Sequence, residues 1–458
     1  MKINITLPSS FLVERKYTFR VLFAYFNDVQ YSFTEHNEPF YLISDEHGNS
    51  LKIEDHFWCR LNETKPIINQ YIVPEKTKEC SLGFNGVTFS IRTIFGTDDY
   101  LHQDKTYILS ADLIASAFFM LTRWEETISD DRDEHDRFPD SSALAVREQF
   151  HERPIVNEYI EFFRSLLSQW NCNTISYNRH YEPLITHDVD EITRAFPFFK
   201  QLRILGADLI RRRSIKEFFR SFKKGVQVAV NPKNDDSWTF ERFMKVSEQY
   251  NLISHFYFIP GKKGEEDFRY SINHPHTLKA IQSIQNKNHI VGIHPSYRVK
   301  NKQSFFSEEK KRLENASNQK IVEGRHHYLR INLPYTLRSW EQDQMKYDSS
   351  IGYTKHIGFR AGICYPYPFF DIVERRQLQL IERPLILMDV ALVHQTQKVK
   401  TMKSKLKTLT HQVRKYEGEL VFLWHNNNIH HPHWRKIGPS YEDFVEIIAR
   451  SSQHFKQS

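Results

Sequence analysis

The sequence predicts an α/β protein in which a barrel-like run of strand–helix units follows a smaller α/β region. Three observations carry that expectation. From about residue 183, short apolar runs alternate with helical segments, the pattern of β/α units on a parallel sheet. Seven such runs occur, a number that suits a barrel. Five of the seven end in a residue suited to metal, proton or anion chemistry, and in a parallel barrel those ends open on one face.

A chain of 458 residues is too long for one ordinary domain. The change of pattern near residue 183 divides it into an N-terminal α/β accessory domain at 1–175 and the strand–helix, barrel-like region at 183–455. With 40% hydrophobic and 26% charged residues the chain is globular, and 35 Phe and 22 Tyr supply aromatic surface for cores and sugar-facing sites. Its 15 glycines form neither GxGxxG nor GxxxxGK[ST], so dinucleotide and P-loop chemistry lack their sequence support. A net charge of +7 is compatible with an acidic ligand or a membrane surface without calling for nucleic acid. Cys59, Cys80, Cys172 and Cys364 form no CxxC pair, which favours free thiols in a reducing compartment. No basic-then-apolar leader and no 18-residue apolar window is visible, so the expectation is a cytoplasmic protein.

In the N-terminal region, β-like runs are expected at Thr18–Phe26, Phe40–Ile43 and Gly86–Ile94. A helix follows from Ser110 to about Glu126, with Leu113, Ala117, Phe118 and Leu121 at helical spacing. An Asp-rich loop at 129–141, a helix at Ile155–Trp170 and a polar linker at 171–182 complete the region. Beyond it, strands are expected at Pro183–Thr186, Ile253–Phe258, His289–Ile293, His327–Ile331, His356–Phe359, Pro384–Met388 and Leu420–Trp424. Helices near 239–250, 275–287, 306–319, 396–416 and 440–454 lie between or after them. Residues 209–224 stand apart. Seven Lys and Arg, interleaved with Ile215, Phe218, Phe219 and Phe222, could lie on an anionic membrane or meet a phosphate-bearing ligand. A solvated face of a surface helix explains them as well.

The chemistry concentrates at strand ends. Leu184–Asp190 is an apolar run closing on two carboxylates, and on a strand end Asp188 and Asp190 face one way with Val189 facing the other. Taken alone, this heptapeptide favours an Asp-rich turn. His294, Arg360, Asp389 and His425 follow later strands in the same manner, and five such ends together point to a site. Asp and His suit Zn²⁺ or a similar divalent ion, which polarises an acyl oxygen and acidifies water. A second carboxylate can take the water proton, a His can protonate the leaving group, and an Arg can orient the base. Metal-assisted hydrolysis is the reaction class this set suggests.

In their order these residues resemble the NodB-type polysaccharide deacetylases of carbohydrate esterase family 4, over roughly residues 183–455. The resemblance rests on Thr186-His187-Asp188-Val189-Asp190, Gly292-Ile293-His294-Pro295-Ser296-Tyr297, Gly358-Phe359-Arg360-Ala361-Gly362, Asp389 and Leu423-Trp424-His425. Leu121-Thr122-Arg123-Trp124-Glu125-Glu126 is similar to the region that precedes this domain in a subset of Bacteroidetes-type proteins. The resemblance implies a distorted (β/α)7 barrel and a carbohydrate deacetylase acting in surface-polysaccharide assembly. It further implies Asp188 as base, Asp190 and His294 as metal ligands, Arg360 as the base's partner, Asp389 as the residue orienting His425, and His425 as general acid. The implied cofactor is a divalent metal, zinc first, with cobalt, nickel or manganese as alternatives; the implied partner is an acetylated sugar or polysaccharide. Two positions depart from the pattern. Val189 splits the Asp pair, and Arg298 stands where a second histidine belongs, so His327 is the expected third ligand.

Tyr297, Asp348 and Trp424 are expected substrate contacts, although Asp348 could equally cap a helix and the aromatics could be core. Trp434 carries the same two readings. Cys364 reads as a buried thiol rather than a nucleophile, and His430-His431-Pro432-His433 as an exposed loop. Two rival functions remain open at this level. One is a glycan-binding barrel that has lost a metal ligand; the other is a membrane-surface or nucleic-acid binding protein acting through 209–224.

Overall fold

The apolar runs fold into a mixed α/β chain, seen in a computed structural model that describes residues 1–70, 72–84, 87–192, 222–223, 226–228, 230–235, 238–261, 270–299, 302–429 and 434–450. The basic segment 209–224, apart from residues 222–223, and the histidine tract at 430–433 lie outside the described residues. Two compact units form. Unit 1 comprises Met1–Glu182, Leu329–Ile386 and Thr408–Leu420; unit 2 comprises Pro183–Tyr328, Leu387–Lys407 and Val421–Ser458.

Unit 1 holds a six-stranded sheet in the order β2-β1-β3-β4-β8-β7. Its strands are β1 (Lys2–Pro8), β2 (Gln30–His36), β3 (Phe40–Asp45), β4 (Ser50–Glu54), β7 (Gly96–Gln103) and β8 (Thr106–Ala111). Alternate residues such as Tyr41, Ile43, Leu51 and Ile53 are buried, the signature of a sheet with one face on the core. A hairpin pairs β5 (Lys78–Phe84) with β6 (Val87–Thr93). A further run, β14-β15-β13, is formed by β13 (Tyr347–Asp348), β14 (Tyr367–Asp371) and β15 (Arg376–Glu382).

The run expected at Phe40–Ile43 falls within β3 and that at Gly86–Ile94 contains β6, with Gly86 outside the described residues, but Thr18–Phe26 lies mostly in a helix, Leu12–Phe23. Burial decides here. Tyr17 packs on Phe370 with ring centroids 4.8 Å apart, and Phe23 on Phe163 at 5.4 Å, which outweighs the strand preference of aromatic and β-branched residues. Asp112 caps the helix Leu113–Leu121 by accepting from the Ala115 amide at 2.9 Å, and the helix Ile155–Trp170 forms as expected.

Unit 2 carries the strand run β12-β11-β10-β9-β17-β16. These strands are β9 (Glu182–Val189), β10 (Ser254–Phe258), β11 (Ile290–Ile293), β12 (Glu323–Gly324), β16 (Leu385–Met388) and β17 (Glu419–Leu423). The unit boundary passes through β16 and β17, whose C-terminal residues belong to unit 2. β9, β10, β11 and β12 pair in parallel, and β10, β16 and β17 are buried along their whole length, as expected of strands covered on both faces.

Two of the strands expected beyond residue 183 do not form. His327–Ile331 opens with the 3-10 turn His327–Leu329, and the strand is the two-residue β12 just before it. His356–Phe359 is irregular: Gly358 has φ 128°, and the backbone amides of Gly358 and Phe359 donate to Ile386 and His151 carbonyls within unit 1. Among the described residues, no helix is long and apolar enough to cross a membrane.

Candidate metal centre

β9 delivers Asp188 and Asp190, and the loops after β11 and β12 deliver His294 and His327, all within unit 2. Ligating atoms of Asp190, His294 and His327 lie within 4.8 Å of one another. Asp190 Oδ1 is 3.9 Å from His294 Nε2 and 3.8 Å from His327 Nε2. Tetrahedral donors about 2.1 Å from an ion lie roughly 3.4 Å apart, so a small inward shift would seat one.

The protonation pattern suits that use. Buried His294 donates from Nδ1 to the Arg325 carbonyl at 2.6 Å, which leaves Nε2 as a lone-pair donor. Nε2 is buried and has no hydrogen-bond partner among the described residues. Burial also lowers the His294 pKa, holding the ring neutral. The loop carrying it is pinned by Glu309, which accepts from the Ser296 amide at 2.8 Å and from the Ser296 hydroxyl at 2.5 Å.

Asp188 is buried beside this triad. Its Oδ2 lies 3.6 Å from His294 Nε2, and its Oδ1 accepts from Arg325 Nη1 at 3.0 Å. The arginine beside Asp188 is therefore Arg325, whereas Arg360 lies in unit 1, its guanidinium forked onto Glu126 at 2.8 Å on both oxygens. Glu126 also accepts from Arg123, and these two arginines outweigh the burial that opposes its charge, holding Glu126 below the ordinary carboxylate range. Arg123 further donates to the Arg360 carbonyl and to Glu125. Leu121–Glu126 thus builds a buried charge network of unit 1, and Arg360 belongs to it.

Asp389 and His425 meet as their order suggested. Asp389 opens the helix Asp389–Gln395 just after β16, and its Oδ1 is 2.7 Å from His425 Nδ1. Its Oδ2 accepts from the His425 amide at 2.9 Å and from Asn428 Nδ2 at 2.8 Å. Burial opposes charge on His425, but Asp389, with help from Asp190 and Asp188, raises its pKa to about 9. Asn426 ties the elements together: its Oδ1 accepts from the Asp190 amide at 3.0 Å and from the Glu191 amide at 3.3 Å, while its Nδ2 donates to the Glu191 carbonyl.

The expected substrate contacts fare differently. Trp424 is fully buried among Trp434, Tyr441 and Phe444, with ring centroids 5.4–5.8 Å away, and is core. Asp348, in unit 1, is buried and accepts from the amide and hydroxyl of Ser350 at 3.0 and 2.6 Å, a local turn clamp. Tyr297 is half-buried with its ring edge-on to Tyr328 at 5.6 Å, near His327 in the chain. Cys364 is buried, and burial pushes its thiol well above the ordinary range. Arg325, Asn426 and Asn428 escaped sequence reasoning. Their signal was adjacency, since each lies within three residues of an expected site histidine.

A family model described as a family of unknown function (DUF7033) matches residues 3–171. No curated protein matches the chain. Among solved structures, the chain is similar to one from Mycobacterium smegmatis described as a candidate polysaccharide deacetylase, with TM-score 0.38 and 12% identity over 60% of this chain and 85% of that one. It is also similar to a carbohydrate esterase family 4 pseudoenzyme from Bacillus anthracis, with TM-score 0.27 and 10% identity over 47% of this chain and 57% of that one. A mutant of that pseudoenzyme with restored enzymatic activity gives TM-score 0.24 and 11% identity over 47% and 59%.

Proposed function

We propose that the chain is a metal-dependent hydrolase that removes N- or O-acetyl groups from a carbohydrate, with the strand run of unit 2 forming part of a distorted (β/α)7 barrel. The observation that supports this reading is the meeting of Asp190, His294 and His327 beside Asp188 at the ends of parallel strands. Asp190, His294 and His327 would hold a divalent ion, zinc first, which would supply Lewis acidity toward an acyl oxygen. Arg325 orients Asp188 and offsets its charge. Asp188 then takes a proton from the attacking water at Oδ2, the oxygen that Arg325 leaves open. His425, oriented through Nδ1 by Asp389, gives its Nε2 proton to the sugar nitrogen or oxygen as the bond to the acyl carbon breaks.

Metal analysis of the purified protein and acetate release from acetylated oligosaccharides test the reading. The expected outcome is about one equivalent of divalent ion per chain, as the one three-donor set among the described residues requires. Asp188→Asn is expected to lower acetate release by roughly 10²–10⁴-fold. A protein that neither retains nor responds to a divalent ion, and whose Asp188→Asn variant is unchanged, would refute it.

A further inference from the structure

The chemistry proposed above leaves the basic run at 209–224 unused, yet its end meets an exposed apolar face. Residues 222–223, 226–228 and 230 are helical and belong to unit 2. Steps of four residues along a helix keep to one face. At those steps stand Phe222, 51% exposed, Val226, 49% exposed, and Val230, 81% exposed. Val228 lies between two of them, points the other way and is fully buried. A single exposed valine needs no explanation, but an apolar stripe held toward water on a helix whose opposite side is already buried does.

The stripe ends on an anchored turn. The Gln227 carbonyl accepts from the Asn231 amide at 2.9 Å and from Asn234 Nδ2 at 3.1 Å, and Pro232 is buried. Lys279 Nζ, on the helix Pro275–Asn286, lies 3.4 Å from Asn231 Oδ1.

Charge chooses the partner. Lys223 is exposed next to Phe222, and the sequence from 209 to 224 carries seven Lys and Arg against one Glu. A second copy of this chain would set the same positive charge against itself. A nucleic acid would meet the charge but would find no base-stacking surface on two valines. An anionic bilayer satisfies both features: its headgroups meet the Lys and Arg, and its acyl boundary takes the apolar stripe.

We propose that Phe222, Val226 and Val230 form a docking face for an anionic lipid surface, drawn to the headgroups by Lys223 and the basic sequence before it. The proposal uses no residue of the metal centre and is independent of the metal reading.

Flotation of the full-length protein with vesicles of phosphatidylcholine, alone or mixed with phosphatidylserine, tests it. Binding is expected on the mixed vesicles and not on phosphatidylcholine alone, and it should weaken as salt is raised. Val226→Ser with Val230→Ser leaves the charge unchanged and is expected to weaken binding roughly tenfold, with an unchanged circular dichroism spectrum. Phe222→Ser takes the place of that pair should it not fold, with a loss of similar size expected. Lys223→Gln is expected to weaken binding about fivefold. Equal binding to both vesicles, full binding by the serine variants, or no binding to either vesicle would overturn the proposal. Self-association or RNA binding that the serine variants abolish, without vesicle binding, would overturn it too and give the face to a second copy or to nucleic acid.

Discussion

At the scale of single residues, the Asp389–His425 pair makes the sharpest prediction. His425 has its pKa raised to about 9, against an ordinary value near 6.5. A histidine favoured in its charged form contributes stability that is fully present below the unfolded-state pKa and is lost as pH rises through the folded one. Thermal unfolding of the metal-free protein should therefore show stability falling between about pH 6.5 and 9. Asp389→Asn removes the carboxylate that raises the pKa, so the variant should lose less stability across that window. The same substitution should cost roughly 10²–10⁴-fold in acetate release if His425 is the acid. An unchanged slope in the variant would mean that the pair does not carry the charge. Much of this residue chemistry was legible in the sequence, because Asp188, Asp389 and His425 each end or directly follow an apolar strand. Arg360 was not: it too follows an apolar stretch, yet its charge is taken up by Glu126, far away in the chain and silent in any local pattern.

At the scale of elements, the site depends on one of the shortest strands in the molecule. β12 is two residues long, too short to show an alternation, which is why the segment after it read as the strand instead. Its placement beside β11 is set by close approach: a Cβ at Gly324 would lie 2.0 Å from the Ile293 carbonyl oxygen. Gly324→Ala must push β12 away from β11, and Arg325 and His327 go with it. The expected result is a folded protein with Co²⁺ binding weakened tenfold or more, since partners of metal ligands carry effects of that order. Circular dichroism and Co²⁺ titration on the same sample check it; full-strength binding would show that the strand yields without moving the site. The motif around Gly358 has a different cause. A Cβ there would lie 2.2 Å from the His151 carbonyl, so this glycine serves backbone packing in unit 1, and its resemblance to a catalytic motif conceals a structural duty.

At the scale of the whole molecule, the order of the chain and the order of the fold differ. A shift of pattern near residue 183 is real, since β9 begins there, but unit 1 reaches past it to take Leu329–Ile386 and Thr408–Leu420. No pattern read along the chain announces that, because the ties are between distant partners. Tyr17 donates to the Pro368 carbonyl at 2.9 Å, Tyr367 to the Leu121 carbonyl at 2.9 Å, and Arg375 pairs with Glu14 at 2.6 Å. A further buried tie is the Arg123–Glu126–Arg360 network, with one carboxylate serving two guanidiniums. Glu126→Ala would leave two arginines buried with that charge removed, a change that costs about 3–5 kcal/mol by the usual measure of a broken buried pair. Chemical denaturation should show a loss of that size. A fragment of residues 183–458 would remove Glu126, Glu14, Tyr17 and Leu121 together, stripping Arg360, Arg375 and the β14 segment of their partners. Such a fragment should aggregate or bind a hydrophobic dye rather than fold, and a monodisperse fragment that binds Co²⁺ would show that the later segments of unit 1 stand without the first.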